Sequence, residues 1–451
     1  MKIVILGGGP GGYEAALVAV ELGADVTIVD RSGLGGACVL WDCVPSKTLL
    51  STAEVVTWIE QAESLGLASE QPRIDVDLPR VFERVLWLAK AQSEDVQEKI
   101  ERAGVRTVRG TGSFVDPHTV AVDGGDRISG DVFLIATGSA PRELDTAKPD
   151  GERILNSRHV YDLPAVPDEL VVVGSGATGA EFAHAFNRLG SHVTLVSSRD
   201  RVLPGEDADA ARVLEQVFER RGMTLVKNAR ASAVRRSADG VEVELQGGSI
   251  IRGSHALVTV GQEPNIGELG LENAGVRVGD RRQIPVDGVS RTNVGHIYAA
   301  GDVTGGIMLA STAAMQGRIA MWHALGQAVS PLRRDSIAAT VFTDPEIATA
   351  GLSEQAAHER NLAIKVLSLP FATNARAKMV ALEDGFVKIV ASADSGTVLG
   401  GTIVAPHASD LILPVSVAVH SRLNVAQVAQ AFSIYPSFGG SIQEAARRLM
   451  G

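Results

Sequence analysis

Apolar residues at the start of the chain change period twice within thirty positions. Ile3 to Leu6 form an unbroken apolar run, as in a strand buried on both faces; Gly7 to Gly12 interrupt it; Tyr13, Ala16, Leu17 and Val20 then follow at helical spacing. A second apolar run, Val26 to Val29, closes the unit. The same succession returns at an offset of 167: Leu170 to Val173, a glycine turn, an amphipathic stretch and Val193 to Val196. Each copy predicts strand, helix, strand. The glycines stand at Gly7, Gly9 and Gly12 in the first, with Pro10 and Gly11 between, and at Gly174, Gly176 and Gly179 in the second. That spacing permits a tight turn, backbone approach to a pyrophosphate and close helix-to-strand packing, with the free N–H groups of a helix start facing the phosphates. Both copies read as dinucleotide-binding βαβ units.

The two copies end differently. Asp30, followed by Arg31, closes the first, and a carboxylate there accepts hydrogen bonds from the hydroxyls of an adenosine ribose. Ser197 stands at the equivalent place in the second, followed by Ser198, Arg199 and Arg201. A carboxylate repels a 2′-phosphate, whereas hydroxyls and guanidinium groups bind one, so the second site is expected to accept NADPH and also NADH.

At 451 residues the chain exceeds one core and predicts about three domains. A net charge of −11 argues against a nucleic-acid surface. No apolar run is long enough to span a bilayer, and the first strand begins at Ile3 without a leader pattern, so a cytoplasmic protein with no membrane partner is expected. The core draws on Ala, Val, Leu and Ile, since aromatics are only 4% of residues; this suits buried parallel sheets. From Asp77 to Gly104 apolar residues recur at helical spacing, predicting long helices whose Leu, Val and Trp positions are packing residues.

The only two cysteines share one segment, GLGGACVLWDCVPSKTLL. Two lone cysteines this close in a cytosolic chain point to redox chemistry. Cys38 and Cys43 are five positions apart, about 7.5 Å of rise in a regular helix, and a disulfide needs Cα atoms within about 7 Å. The pair therefore requires a broken turn. Val44 to Leu50 reads as helix, which puts Cys43 near a helix start where a thiolate is favoured.

A GGxCxxxxCxPSK pattern after a first-strand glycine turn resembles the flavoprotein disulfide reductases, the family of dihydrolipoamide dehydrogenase, glutathione reductase and mercuric reductase. The resemblance runs over essentially the whole chain. Ala136-Thr137-Gly138 and Val260-Gly261 resemble the strand ends where the chain crosses between nucleotide domains, and Ile297 to Asp302 resembles the second flavin motif. Phe342 to Glu346 looks like the start of a C-terminal interface domain. The resemblance implies FAD on the first unit, nicotinamide on the second, and a homodimer. It makes Cys43 the cysteine beside the flavin, Cys38 the one that exchanges with substrate, and Lys47 and Glu181 a pair near the flavin and nicotinamide. It also puts Gly36, Ala37, Gly112, Gly301, Asp302 and Ala310 among the cofactor-binding positions.

Four departures bear on function. The family's disulfide reductases carry near their C-terminus a histidine and, five residues later, a glutamate that together serve as general acid and base for the dithiol. Here Tyr435 and Gly440 occupy those places, with Pro436 retained after the first. A phenol, which titrates near about 10 in water, is a poor acceptor of a thiol proton at neutral pH, and loss of a positioned base costs about 10²- to 10⁴-fold. His407 and His420 have no spacing that makes them substitutes. Trp41 and Asp42 lie between the cysteines, where Asp42 opposes a thiolate by like charge. Ser311 and Thr312 replace a His-Lys pair common in lipoamide enzymes, and Gln262 replaces an arginine.

Hydride transfer from NADPH to flavin needs no protein base, so the expected activity is reduction of a quinone-type acceptor, similar to the lipoamide-dehydrogenase-like NAD(P)H quinone reductases that lack the dyad. The competing readings are a disulfide reductase using the Cys38-Cys43 pair and a non-catalytic redox sensor. The expected architecture is α/β, with two doubly wound nucleotide domains and a C-terminal α/β interface domain: 1–143 with 257–329 for FAD, 144–256 for NAD(P), and 330–451 for the interface. No metal site is expected.

Overall fold

The computed structural model describes residues 1–67 and 74–451. The chain forms two compact units, the first comprising Met1–Thr48, Phe82–Arg142 and Gly261–Leu332, the second Leu49–Val81, Glu143–Val260 and Arg333–Gly451.

In the first unit β1 (Lys2–Leu6) lies at the centre of a five-stranded parallel sheet, flanked on one side by β2 (Asp25–Asp30) and β3 (Arg106–Arg109) and on the other by Val132–Ile135 and Ile297–Ala299. The chain thus builds outward from β1 in one direction, then returns to the other side. That reversal leaves a crevice beyond the carboxyl end of β1, where ligands bind in open parallel sheets. Helix α1 (Pro10–Glu21) packs on the sheet through Ala15, Ala16 and Ala19, each fully buried. Its start crosses α7 (Ala310–Ala324) so closely that a Cβ on Gly317 would stand 2.0 Å from the Gly11 carbonyl oxygen. A three-stranded antiparallel sheet, Gly112–Asp116, Thr119–Val122 and Arg127–Ser129, covers one face.

In the second unit Glu169–Val173 takes the place of β1, with His192–Val196 and Thr224–Val226 on one side and His255–Val258 and Ile154–Leu155 on the other, all parallel. The sequence repeat is therefore a repeat of topology. The same unit holds a five-stranded antiparallel sheet in the order 338–341, 346–351, 398–405, 386–392, 364–370. Its buried Lys388 bonds to Asp207 at 2.9 Å and Asp209 at 2.6 Å, at the start of α6 (Ala208–Arg220). Burial pulls the lysine pKa down, and these carboxylates more than reverse it.

The helical pattern after Asp77 is a single helix, α4 (Leu78–Arg102), that buries Leu78, Phe82, Val85, Ala89, Val96 and Ile100 at spacings of three, four and seven. Leu86 and Trp87 fall off that stripe and are 48% and 65% exposed, which corrects the expectation that they are packing residues. Among the described residues no helix is long and apolar enough to cross a membrane, and no cluster of metal-binding side chains is present.

Candidate functional site

The two glycine turns superpose in their internal detail. Gly7 and Gly174 have φ of +104° and +113°, a region costly for any side chain, and a Cβ on either would lie 2.3 Å from a neighbouring carbonyl oxygen. A Cβ on Gly12 or Gly179 would approach the Gly7 or Gly174 oxygen to 1.9 Å. Gly9 and Gly176 cap α1 and α5 (Ala177–Arg188) without a side-chain hydrogen bond, so the first turn of each helix, after Pro10 in α1, has no capping side chain over its backbone. In the first turn Gly36, at φ +60°, brings its own backbone against Gly9, where a Cβ would stand 2.7 Å from the Gly9 Cα.

The strand-end residues behave differently from a pair of ligands read off a motif. Asp30 accepts the N–H of Gly8 on Oδ2 and those of Ser32 and Gly33 on Oδ1, each at 2.7 Å. It therefore shapes the turn as well as facing the crevice. Arg31 makes an exposed 3.5 Å pair with Glu268. Ser197, 1% exposed, points inward: its hydroxyl accepts from Ser175 at 2.7 Å and donates to the Arg201 carbonyl at 2.9 Å. The Ser197 hydroxyl, expected to help admit a 2′-phosphate, also holds the 198–201 loop. Ser198 and Arg199 are exposed on that loop, and Arg201 donates to the Pro204 carbonyl at 3.2 Å.

Cys38 lies on α2 (Gly36–Leu40) and Cys43 opens α3 (Cys43–Gln61), as its sequence environment requires. Helix α2 ends where Trp41 and Asp42 both donate their N–H to the Ala37 carbonyl, at 3.0 and 2.8 Å. That double capture is the broken turn. It brings the thiols into hydrogen-bonding contact, and this bond, then burial, then the neighbouring Cys43 and Asp42 charges, push the Cys38 thiol well above its ordinary range; Lys47 opposes them. Lys47, one turn into α3, thus stands within electrostatic reach of the dithiol.

Further along the first unit, Thr137 and Asn265 exchange two hydrogen bonds, 2.8 and 2.9 Å, where the chain leaves and re-enters at Gly138 and Gly261. Ala136 is buried at the strand end before them. Thr137 and Asn265 therefore tie the outgoing and returning chain together within the first unit. Gly112 is a packing position, since a Cβ there would lie 2.7 Å from Leu6 Cδ2. Gly301, φ +79°, donates its N–H to Gln316 at 2.9 Å and turns Asp302 toward Ser139, whose hydroxyl donates to the carboxylate at 2.7 Å. Burial pushes the Asp302 carboxyl up, against the Ser139 bond. Ala310 begins α7, whose start has no side-chain cap, and the buried Thr312 hydroxyl there has no protein partner. Its position was legible as a departure, but its isolation required coordinates. In the second unit Glu181, 5% exposed on α5, accepts the Phe342 N–H at 3.0 Å.

Residues 1–317 match the family model described as pyridine nucleotide-disulphide oxidoreductase, and residues 337–446 match the dimerisation domain of that family. The chain belongs to the pyridine nucleotide-disulphide oxidoreductases. A protein of Mycobacterium tuberculosis named NAD(P)H dehydrogenase (quinone) is 50% identical, over 100% of this chain and 94% of that one. Dihydrolipoyl dehydrogenase of Zymomonas mobilis is 34% identical, over 98% and 96%. The crystal structure of LpdA from Mycobacterium tuberculosis overlays with a TM-score of 0.95 at 50% identity, covering 100% of both chains.

The pyridine nucleotide-disulphide oxidoreductases use FAD and NAD(P)H. The first unit suits the flavin cofactor on its own chemistry: a bare-backbone phosphate turn, a half-buried Asp302 with one protein donor, and an uncapped α7 start beside an unpartnered Thr312 hydroxyl. The C-terminal segment carries Tyr435 and Gly440 at the two places where the sequence resemblance implies a histidine and a glutamate. Tyr435 is 85% exposed in the single chain, next to Phe432 and Ile434 at 105% and 81%, and Gly440 opens the helix Gly440–Arg448. No histidine follows His420, and the His407 ring faces Glu54 at 3.4 Å.

Proposed function

We propose that the protein transfers reducing equivalents from NAD(P)H through FAD to a quinone-type acceptor. The observation that carries this is the tyrosine at 435 with glycine at 440, where a disulfide reductase needs a histidine and its glutamate. The 50% identical relative bears the name of a quinone dehydrogenase, and it supports the same reading over dihydrolipoyl dehydrogenase at 34%.

Bound FAD would supply acceptance of hydride from the nicotinamide and delivery of electrons to the acceptor. Gly7, Gly9, Pro10, Gly11 and Gly12 with the α1 start would hold its pyrophosphate, Asp30 its adenosine ribose, and Asp302 its ribityl hydroxyls, with Gly36, Ala37 and Ala310 lining the flavin. Lys47, as a fixed ammonium, would favour the reduced, more negative cofactor. Gly174, Gly176 and Gly179 with the α5 start would hold the nicotinamide dinucleotide. Without an acid at the strand end, the exposed Ser198 and Arg199 would admit a 2′-phosphate, so NADPH and NADH are both accepted. Glu181 would act beside the nicotinamide. Tyr435 would donate hydrogen bonds to a reduced acceptor whose remaining protons come from water. We further propose a cytosolic homodimer, joined through the exposed C-terminal apolar residues, with the three-domain division given from the sequence.

Disulfide reduction stands as a second reading because Cys38 and Cys43 are in hydrogen-bonding contact. Replacing Cys38 by Ser separates the two. Quinone turnover with NADPH should stay within about twofold of the unaltered enzyme, while any lipoamide turnover disappears. Equal loss of both activities would show that the dithiol, and not the flavin alone, serves the quinone.

A further inference from the structure

In the second unit the loop that follows residues 338–341 is held to the nucleotide-binding fold by more than its own backbone. Phe342 gives its N–H to the Glu181 carboxylate, and two residues later Asp344 is gripped twice by Arg221: Nη1 donates to the Asp344 carbonyl at 2.7 Å and Nη2 to Oδ2 at 2.5 Å. Thr343, between them, is buried and ties its hydroxyl to the Pro345 carbonyl at 2.8 Å. Both legs of the grip are largely buried, the side chains of Arg221 and Asp344 being 16% and 26% exposed. A charge-assisted, two-point contact of this kind is stronger and more directional than a surface ion pair.

The surroundings favour a fixed geometry. Arg221 caps the carboxyl end of α6, where a cation complements the helix dipole. His184, one turn after Glu181 on α5, is buried, and burial first, then the Arg221 and Arg188 charges, push its pKa down to about 3 against the pull of Asp344. It packs there as a neutral ring and brings no competing charge to the carboxylate. Arg188, one further turn along, is occupied by Glu60. So α5 presents Glu181 and, behind it, a neutral residue and an already paired cation, and the Asp344 carboxylate is left to Arg221.

We infer that Arg221 and Asp344 are positioning residues for hydride transfer: they hold the 342–345 loop so that the Phe342 amide fixes the Glu181 carboxylate beside the nicotinamide. The inference rests on the reading above that Glu181 works at the nicotinamide. Displacements of about 1 Å at a reacting pair cost up to about 10²-fold in rate, so a loosened strap should be visible in the chemical step without weakening the grip on the dinucleotide's phosphates.

The test is anaerobic stopped-flow reduction of the holoenzyme by NADPH, which separates the limiting rate of flavin reduction from the NADPH dissociation constant. Asp344→Ala removes one leg of the grip and Arg221→Ala both. Each should lower the limiting rate, by about tenfold or more for Arg221→Ala, with the dissociation constant within about twofold of the unaltered enzyme and a full complement of FAD. Asp344→Asn, which keeps an acceptor for Arg221, should recover most of the rate. In a Glu181→Gln background Asp344→Ala should slow reduction no further, since the group it positions is already altered. Strap variants that reduce at the unaltered rate overturn the inference, as does Asp344→Ala slowing both backgrounds by the same factor, the signature of general destabilisation. If Glu181→Gln alone reduces at the unaltered rate, the role of Glu181 itself fails and the strap with it.

Discussion

In the proposed mechanism position 435 separates what this chain can do to a thiol from what it can do to a ring acceptor. A phenol donates a hydrogen bond but does not shuttle a thiol proton at neutral pH, and Gly440 leaves nothing to orient a base if one were supplied. The structure leaves room for a side chain at position 440. A Cβ on Gly440 would have only the Ser433 and Ser437 hydroxyls near it, each at 3.8 Å, so the first atom of a side chain displaces no backbone. Tyr435→His combined with Gly440→Glu should therefore raise lipoamide reduction by roughly 10²-fold over the unaltered enzyme, measured by steady-state NADH formation or consumption. A double variant no faster than its parent would show that the missing dyad is not what limits sulfur chemistry. At this scale identity was legible in the sequence and orientation was not. Asp30 and Ser197 occupy equivalent strand ends, yet the acid spends three bonds on its own turn while the serine faces inward, because Ser175 and the Arg201 carbonyl offer it partners that no spacing rule reveals.

The βαβ units could be read from the switch between continuous apolar runs and helical spacing, and the break between Cys38 and Cys43 followed from the reach of a disulfide. The antiparallel strands at 112–129 and 231–253 are not legible in the sequence, since they are short and alternate polar with apolar residues weakly. Buried polar groups escape for another reason: Lys388 and Asp207 meet across 181 positions, and His184 is buried on α5 between Phe182 and Phe186 with no sequence signal of its own. His184 has a measurable consequence. It is neutral in the folded protein down to about pH 3, whereas its ordinary value is 6.5, so the unfolded chain takes up the proton first as pH falls. The stability that this neutral ring contributes is complete above about pH 6.5 and is lost progressively toward pH 3. Replacing His184 with Leu should shrink the loss of unfolding free energy between pH 7 and pH 5 by roughly 2 kcal/mol, read from urea titrations at the two values. An unchanged acid dependence would place the titrating group elsewhere.

For the whole molecule, the decisive surface is the C-terminal segment. Phe432, Ile434 and Tyr435 lie almost fully open in the single chain, an arrangement that costs apolar hydration unless a second copy covers it, and they fall within the family's dimerisation domain. Phe432→Asp should convert the dimer to monomer by light scattering at micromolar concentration and remove acceptor turnover while leaving FAD bound; a persisting dimer would assign the interface to another surface. The contribution of a second Tyr435 to each site would follow from the same experiment. The central claim, electrons leaving toward quinones and not toward disulfides, is tested most directly by reducing the holoenzyme anaerobically with one equivalent of NADPH and timing reoxidation by a naphthoquinone and by lipoamide in parallel. The account predicts reoxidation by the quinone at least about 10²-fold faster. Comparable rates with lipoamide would contradict it.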